Sequence, residues 1–144
     1  MLRGFTIKAW RLANSMAVAV QDPRSPPVVL LVDDEPPLLD AMRLGLASEF
    51  EVETAASAEE AALLLGTRRY DVLVCDQLLP GEQGLEFLIR VSERSGAPQR
   101  ILLTGYINPE LLSRSVSLAK LSACLLKPVH HAELIAAIHA ALRG

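Results

Sequence analysis

Five short apolar runs punctuate the chain, each stopping at a polar residue and each followed by apolar positions at helical spacing. Val28-Val29-Leu30-Leu31-Val32 carries no charge and ends at Asp33-Asp34-Glu35, the pattern of a strand buried on both faces. Pro36 and Pro37 suit the first turn of a helix, and Leu39, Met42 and Leu46 recur behind them at helical intervals. From Phe50 to Thr54 apolar and charged residues alternate, which predicts a half-exposed edge strand. Ser57-Ala58-Glu59-Glu60 has capping-box spacing and opens an Ala/Leu-rich helix that closes near Gly66. Asp71 to Cys75 is the third strand, stopped by Asp76; turn formers follow, and Gly84 opens a helix with Leu85, Leu88 and Ile89 on one face. Arg100 to Leu103 is the fourth strand, terminating at Thr104-Gly105. Asn108-Pro109 then caps a helix with Leu111, Ser115 and Leu118 on one side. Ala123 to Leu126 is the fifth strand, ending at Lys127-Pro128, and the last helix runs roughly from His131 to Leu142 with Leu134, Ile138 and Leu142 inward.

Strand followed by helix, five times over, predicts an α/β fold: a doubly wound parallel sheet with helices on both faces. Composition agrees, because 51% of the 144 residues are hydrophobic and only 4% aromatic, leaving Leu, Val and Ala to build the core. That length holds one domain with a proper core but not comfortably two. Residues 28–144 are read as that domain, and residues 1–27 as an N-terminal extension. The extension ends in Asp22-Pro23-Arg24-Ser25-Pro26-Pro27, a helix-hostile linker, and a disordered tail is the expectation. Its apolar run Met16 to Val20 is too short to cross a membrane.

Charge sharpens the division. Four basic residues against Asp22 give the first 27 residues a net +3, so the overall −3 leaves −6 on the rest. An acidic domain without a basic stripe speaks against direct nucleic-acid binding and for holding a divalent cation. Cys75 and Cys124 lie in apolar runs without metal-ligand spacing, so two free thiols in a reducing, cytoplasmic setting are expected. His130 and His131 are read as helix-start residues.

The chemistry gathers where the strands stop. Asp33 and Asp34 follow the first strand, Asp76 the third, Thr104 the fourth and Lys127 the fifth. A parallel sheet puts all these ends on one edge, where open α/β sheets place their ligands. Three carboxylates in contact repel unless a cation lies among them, and hard oxygen ligands suit Mg²⁺. With an ammonium and a hydroxyl added, the five groups read as a phosphoryl-handling site. Taken singly, each has a plainer role: the acids as helix caps, Thr104 and Lys127 as turn residues. Jointly, at matching strand ends, that plainer account needs four coincidences.

From Val28 to Leu142 the chain resembles the receiver domains of two-component response regulators. The resemblance rests on Asp33-Asp34, on Asp76-x-x-x-Pro80-x-x-x-Gly84, on Leu103-Thr104-Gly105 and on Lys127-Pro128. It implies a flavodoxin-like sheet of strand order 2-1-3-4-5, in which Cys75 and Cys124 stand two strands apart, roughly 10 Å, too far for a disulfide. It implies that Asp76 takes a phosphoryl group from a phosphohistidine on a sensor kinase or phosphotransfer protein. In that reading Asp34, Asp76 and the backbone carbonyl of Leu78 hold Mg²⁺, with Asp33 acting largely through a metal-bound water. Lys127 neutralises phosphoryl charge, Thr104 swings to bond the phosphoryl group, and the Lys127-Pro128 peptide is cis. The resemblance implies a phosphoacceptor that assists its own reactions, not an ordinary enzyme. A single-domain regulator working through an unknown downstream protein is the leading expectation. A phosphate sink or relay intermediate, and a receiver-like scaffold that is never phosphorylated, are the alternatives. The phrase Gln99 to Tyr106 further resembles receivers that head cyclic-dinucleotide phosphodiesterases.

Two departures from the family pattern matter. Cys124 stands three positions before the lysine, where an aromatic switch residue is usual. Leu78 and Tyr106, two after Asp76 and Thr104, put apolar bulk where an attacking water would pass. The usual output face of the family, formed by the fourth helix, fifth strand and fifth helix, would include Leu111, Leu112 and Cys124.

Overall fold

A computed structural model describes residues 25–106 and 108–144, with the side chains of Leu111 and Ser115 left undescribed. Most of the N-terminal extension, residues 1–24, lies outside the described residues. Strands β1 (Val28–Val32), β2 (Glu51–Ala55), β3 (Val72–Asp76), β4 (Gln99–Thr104) and β5 (Ala123–Leu126) alternate with helices α1 (Pro36–Leu46), α2 (Ala58–Leu65), α3 (Gly84–Ser92), α4 (Pro109–Arg114) and α5 (His131–Arg143). All strand pairs are parallel, in the order β2-β1-β3-β4-β5. β1 and β3 are buried along their whole length, as uninterrupted apolar runs require in a sheet covered on both faces.

Two cores follow from the alternation of side chains across the sheet. On one face Val29, Leu31, Val74, Ile101 and Leu103 meet Leu39, Met42 and Leu46 of α1 and Leu134, Ile138 and Ala141 of α5. On the other, Leu30, Leu73, Cys75 and Leu102 meet Ala58 and Ala61 of α2 and Leu85, Phe87, Leu88 and Val91 of α3. Cys75, Leu102 and Cys124 stand in one register row, so Leu102 separates the two thiols, and both are free.

Local chemistry sets the boundaries. Pro36 and Pro37 occupy the first turn of α1, where their missing N–H groups cost nothing. Ser57 Oγ accepts from the Glu60 N–H at 3.1 Å, while Glu60 Oε1 accepts from the N–H of Ala56, one residue before the expected partner of a capping box. The second strand begins at Glu51 instead of Phe50. Phe50 turns inward to the α1–α5 core, with His139 against its ring at 5.1 Å between centroids. Phe87, absent from the expected α3 face, is also buried, under the Arg90 guanidinium.

The fourth helix corrects the sequence pattern. After Arg114 the chain passes into a π-turn, Ser115–Ala119. The wider turn shifts the phase of the following positions. Leu118, expected on one side with Leu111 and Ser115, is 49% exposed, and its neighbour Ala119 is fully buried. Arg100 holds this end in place: its guanidinium is buried and donates to the carbonyls of Ala119 (2.8 Å), Lys120 (3.1 Å) and Pro98. Lys120 then reverses the chain in the left-handed region, at φ 52°. No helix among the described residues is long and apolar enough to cross a membrane.

Gly84 is where the fold fixes the loop after β3. A Cβ there would lie 2.3 Å from the carbonyl oxygen of Asp76 and 2.9 Å from Gln77 Cα, both backbone atoms that cannot turn aside. Gly84→Ala is therefore expected to cost at least about 1–3 kcal/mol in urea unfolding, the range for overpacking. Gly105→Ala, whose added Cβ meets nothing within 4 Å, is the control expected to stay near wild type.

Candidate functional site

Register brings the strand ends together. Val32 pairs with Cys75 and Asp76 with Leu103, so the residues after β1, at the end of β3 and at the end of β4 share one edge. Each of Asp33, Asp34 and Asp76 offers a carboxylate oxygen, and these oxygens all lie within 4.8 Å of one another. Asp33 and Asp76 are buried, at 2% and 5% exposure, and Asp34 faces solvent. Lys127 Nζ stands 3.3 Å from Asp76 Oδ1 and 3.8 Å from Asp33 Oδ2. The cis Lys127-Pro128 peptide follows β5, and the Lys127 N–H donates to the Thr104 carbonyl at 2.8 Å.

The plainer reading of these residues accounts for only part of this. Asp33 does serve the start of α1, since its Oδ1 accepts from the Glu35 N–H at 2.9 Å, and Glu35 itself supplies no side-chain cap. Its other oxygen, Oδ2, is buried without a hydrogen-bond partner, Lys127 being too distant to donate. A buried carboxylate oxygen left without a donor is costly. Two like charges about 4 Å apart repel by roughly 4 kcal/mol at an effective dielectric near 20, so one ammonium does not offset three carboxylates. A small divalent cation would satisfy both the orphaned oxygen and the repulsion, and an all-oxygen donor set fits Mg²⁺.

Asp76 registers that imbalance. Burial, and to a lesser degree the Asp33 charge, push its carboxyl above the usual range; Lys127 and the N–H of Leu78 pull the other way. Leu78 thus meets Asp76 through its amide, while its side chain is 67% exposed. Burial drives the neighbouring Cys75 thiol upward as well, so it stays protonated and inert. Thr104 is buried beside this group, yet its hydroxyl is engaged locally. Its Oγ1 donates to the Tyr106 carbonyl at 3.0 Å and accepts from the Tyr106 N–H at 3.2 Å. Tyr106 points into solvent. Cys124 is half-buried against the α2–α3 core, with none of the reach of an aromatic ring.

Sequence reasoning did not single out Gln77. Its backbone N–H extends the ladder to Leu103 O (2.9 Å), its carbonyl accepts from Gly84 N–H (3.0 Å), and its side-chain Oε1 accepts from Leu85 N–H (2.8 Å). No short-range motif announces a cap supplied from eight residues away. Glu82 further ties the loop to Arg90 by a bidentate pair, with Nε to Oε2 at 2.8 Å.

Comparison with known proteins comes to the same place. The family model described as response regulator receiver domain matches residues 29–139. The hydrogenase transcriptional regulatory protein HoxA of Cupriavidus necator is 43% identical over 100 residues, covering 69% of this chain and 21% of that protein. The chain spans about a fifth to a half of the length of the curated relatives it matches. Among solved structures, a CheY-like receiver domain protein from Methanospirillum hungatei superposes with a TM-score of 0.76 at 30% identity, covering 83% of this chain and 95% of that one. The chemotaxis response regulator CheY4 of Vibrio cholerae gives 0.74 at 27% identity, with 82% and 100% covered.

The raised carboxyl of Asp76 has a defined pH signature. A carboxyl that binds its proton more tightly folded than unfolded favours the fold below its ordinary range, and that advantage is lost as pH rises through the folded value. At neutral pH the Asp76 charge therefore costs stability. In Mg²⁺-free buffer, Asp76→Asn is expected to raise the urea midpoint near pH 7.5, with the gain shrinking as the pH is lowered toward 4. Added Mg²⁺ should lift wild type and leave the variant nearly unmoved.

Proposed function

This chain belongs to the response regulator receiver domain family, and from that premise we propose that Asp76 is its phosphoacceptor and that the chain works as a phosphorylation-controlled protein-interaction switch. The observation that carries the reading is the meeting of Asp33, Asp34 and Asp76 oxygens within 4.8 Å, with Lys127 Nζ 3.3 Å from Asp76. An Asp76 carboxylate oxygen attacks the phosphorus of a phosphohistidine on a sensor kinase or phosphotransfer protein. The phosphorus–nitrogen bond breaks, the imidazole nitrogen takes up a proton, and an acyl phosphate remains on Asp76. Asp34, Asp76 and the Leu78 carbonyl would hold Mg²⁺, with Asp33 acting through a water. The chemistry it would supply when bound is neutralisation of charge on the phosphoryl oxygens during transfer. Lys127 supplies a second positive charge, its Nζ 3.3 Å from Asp76 Oδ1.

Thr104 carries the readout. To bond the phosphoryl group its hydroxyl must leave the Tyr106 backbone, drawing the β4–α4 loop with it. The surface that this movement would alter exposes Leu112, Val116, Leu118 and Leu126, and a downstream protein docking there is the proposed output. The acids and Lys127 favour a phosphorylated switch over a constitutive scaffold. The two free thiols fit the reducing cytoplasm.

Incubation with acetyl phosphate and Mg²⁺ should add the mass of one phosphoryl group to wild type and none to Asp76→Ala; an unlabelled wild type would overturn the proposal. Lys127→Ala is expected to take up label at least about 10-fold more slowly, consistent with loss of a charge that acts in phosphoryl transfer.

Leu78 and Tyr106 bear on how long the group stays. Both are large, apolar-bodied and about two-thirds exposed, and neither offers a carboxylate or amide to orient a water. Slow self-dephosphorylation is the expected behaviour. Label decay followed by mass should speed up in Leu78→Asn and in Tyr106→Glu. Fast decay in wild type, unchanged in both variants, would show that these positions do not govern it.

A further inference from the structure

We propose that Gln77 is a positioning residue that holds the turn from Asp76 to Leu78 in its metal-binding shape and so sets the affinity of the acidic cluster for Mg²⁺. The inference rests on the phosphoacceptor reading above, because it concerns the same cation.

The first turn of α3 sets the requirement. Its leading N–H groups have no partners within the helix and need an acceptor from outside. The residue in the cap position, Gln83, supplies none from its side chain. Gln77 supplies two: its carbonyl takes the Gly84 N–H and its Oε1 takes the Leu85 N–H. Its Nε2 also donates to Gln83 Oε1 at 3.2 Å. Residues 77–84 thus form a closed ring whose neck is the Gln77 side chain and backbone lying against the start of α3.

Leu78 is the first residue inside that ring. Its side chain is out in solvent and anchors nothing. Its peptide is held from behind by Gln77 and from ahead by Leu79, which is buried in the α2–α3 core. Its amide lies near enough to the Asp76 carboxyl to favour the charged form. The Gln77–Leu78 peptide, whose N–H acts on Asp76, and the next peptide, which carries the proposed Leu78 carbonyl ligand, are therefore fixed by neighbours and not by the Leu78 side chain. Groups that orient ligands from behind typically change metal affinity by about 10–100-fold when removed.

The test is calorimetric titration of the whole chain with Mg²⁺, paired with urea unfolding and with acetyl phosphate labelling across Mg²⁺ concentrations. Gln77→Met keeps the length of the side chain but cannot accept from Leu85 as an amide does. It is expected to weaken Mg²⁺ binding about 10-fold or more. Its labelling rate should return toward wild type once Mg²⁺ is saturating. Gln77→Asn, one methylene short of the Leu85 N–H, is the milder variant, and a loss in the same direction is expected should the methionine variant fail to fold. Gln83→Ala removes only the Nε2 contact and should bind Mg²⁺ within about 2-fold of wild type, well short of that range. A lower unfolding midpoint with unchanged Mg²⁺ affinity in the Gln77 variants would reduce the residue to a structural cap and overturn the inference. A wild type that neither binds Mg²⁺ nor takes up label would instead overturn the phosphoacceptor reading beneath it.

Discussion

Mutual repulsion among three carboxylates, held together by a sheet that does not let them separate, is the constraint on which this molecule turns. β1 and β3 are adjacent and fully buried, so the acids at their ends cannot relax apart without disrupting both cores. The fold accommodates the tension in several ways at once. Lys127 approaches from β5, two strands from Asp76, the Leu78 amide favours the Asp76 charge, and Asp34 stays in solvent. One oxygen of Asp33 is left without a donor even so. A protein interior tolerates such a group where a ligand completes it, and the location matches the general rule for open parallel sheets.

Much of this was legible in the sequence because two periods carried it. Uncharged runs of five residues at 28–32 and four at 72–75 marked the buried strands, and three- and four-residue spacing marked α1, α3 and α5. Their polar stops then named Asp33, Asp34, Asp76, Thr104 and Lys127 without any structure. The cis Lys127-Pro128 peptide and the strand order implied by the family resemblance are both present. What escaped was whatever depends on a change of phase or on contact at a distance. Leu118 was expected to share a side with Leu111 and Ser115, as in a regular helix, and the π-turn has no simple sequence mark. Phe50 read as a strand residue because its apolar character fits the alternation, yet it precedes the strand and packs in the α1–α5 core beside His139. Gln77 looked like filler between an acid and a leucine, since its partners Gly84 and Leu85 are seven and eight residues on.

Rigidity is unevenly distributed around the site. The loop after β3 is tied at its neck by Gln77, along its far side by Glu82 and Arg90, and from within by Leu79. In the loop after β4, among the described residues, the Thr104 hydroxyl closes on the Tyr106 backbone. Each net hydrogen bond contributes about 1 kcal/mol, so releasing those two bonds asks for less than undoing the ties of the loop after β3. In the proposed reading, the acid that must keep its geometry thus stands on the heavily tied loop, and the hydroxyl that must move is freed by breaking two local bonds.

The Arg100 clasp gives the fourth helix a mechanical asymmetry. Its far end is gripped inside the protein by a planar fork that a lysine could not imitate, because one ammonium cannot reach carbonyls lying in different directions. Its near end adjoins the β4–α4 loop at Tyr106. A movement of the backbone between Pro109 and Ala119 would therefore pivot on its rear, along an arm roughly 15 Å long at helical rise. Displacement along such an arm would grow with distance from the pivot, leaving Lys120 nearly still while Leu112 and Glu110 sweep furthest. A surface that reads this arm gains most by touching its tip.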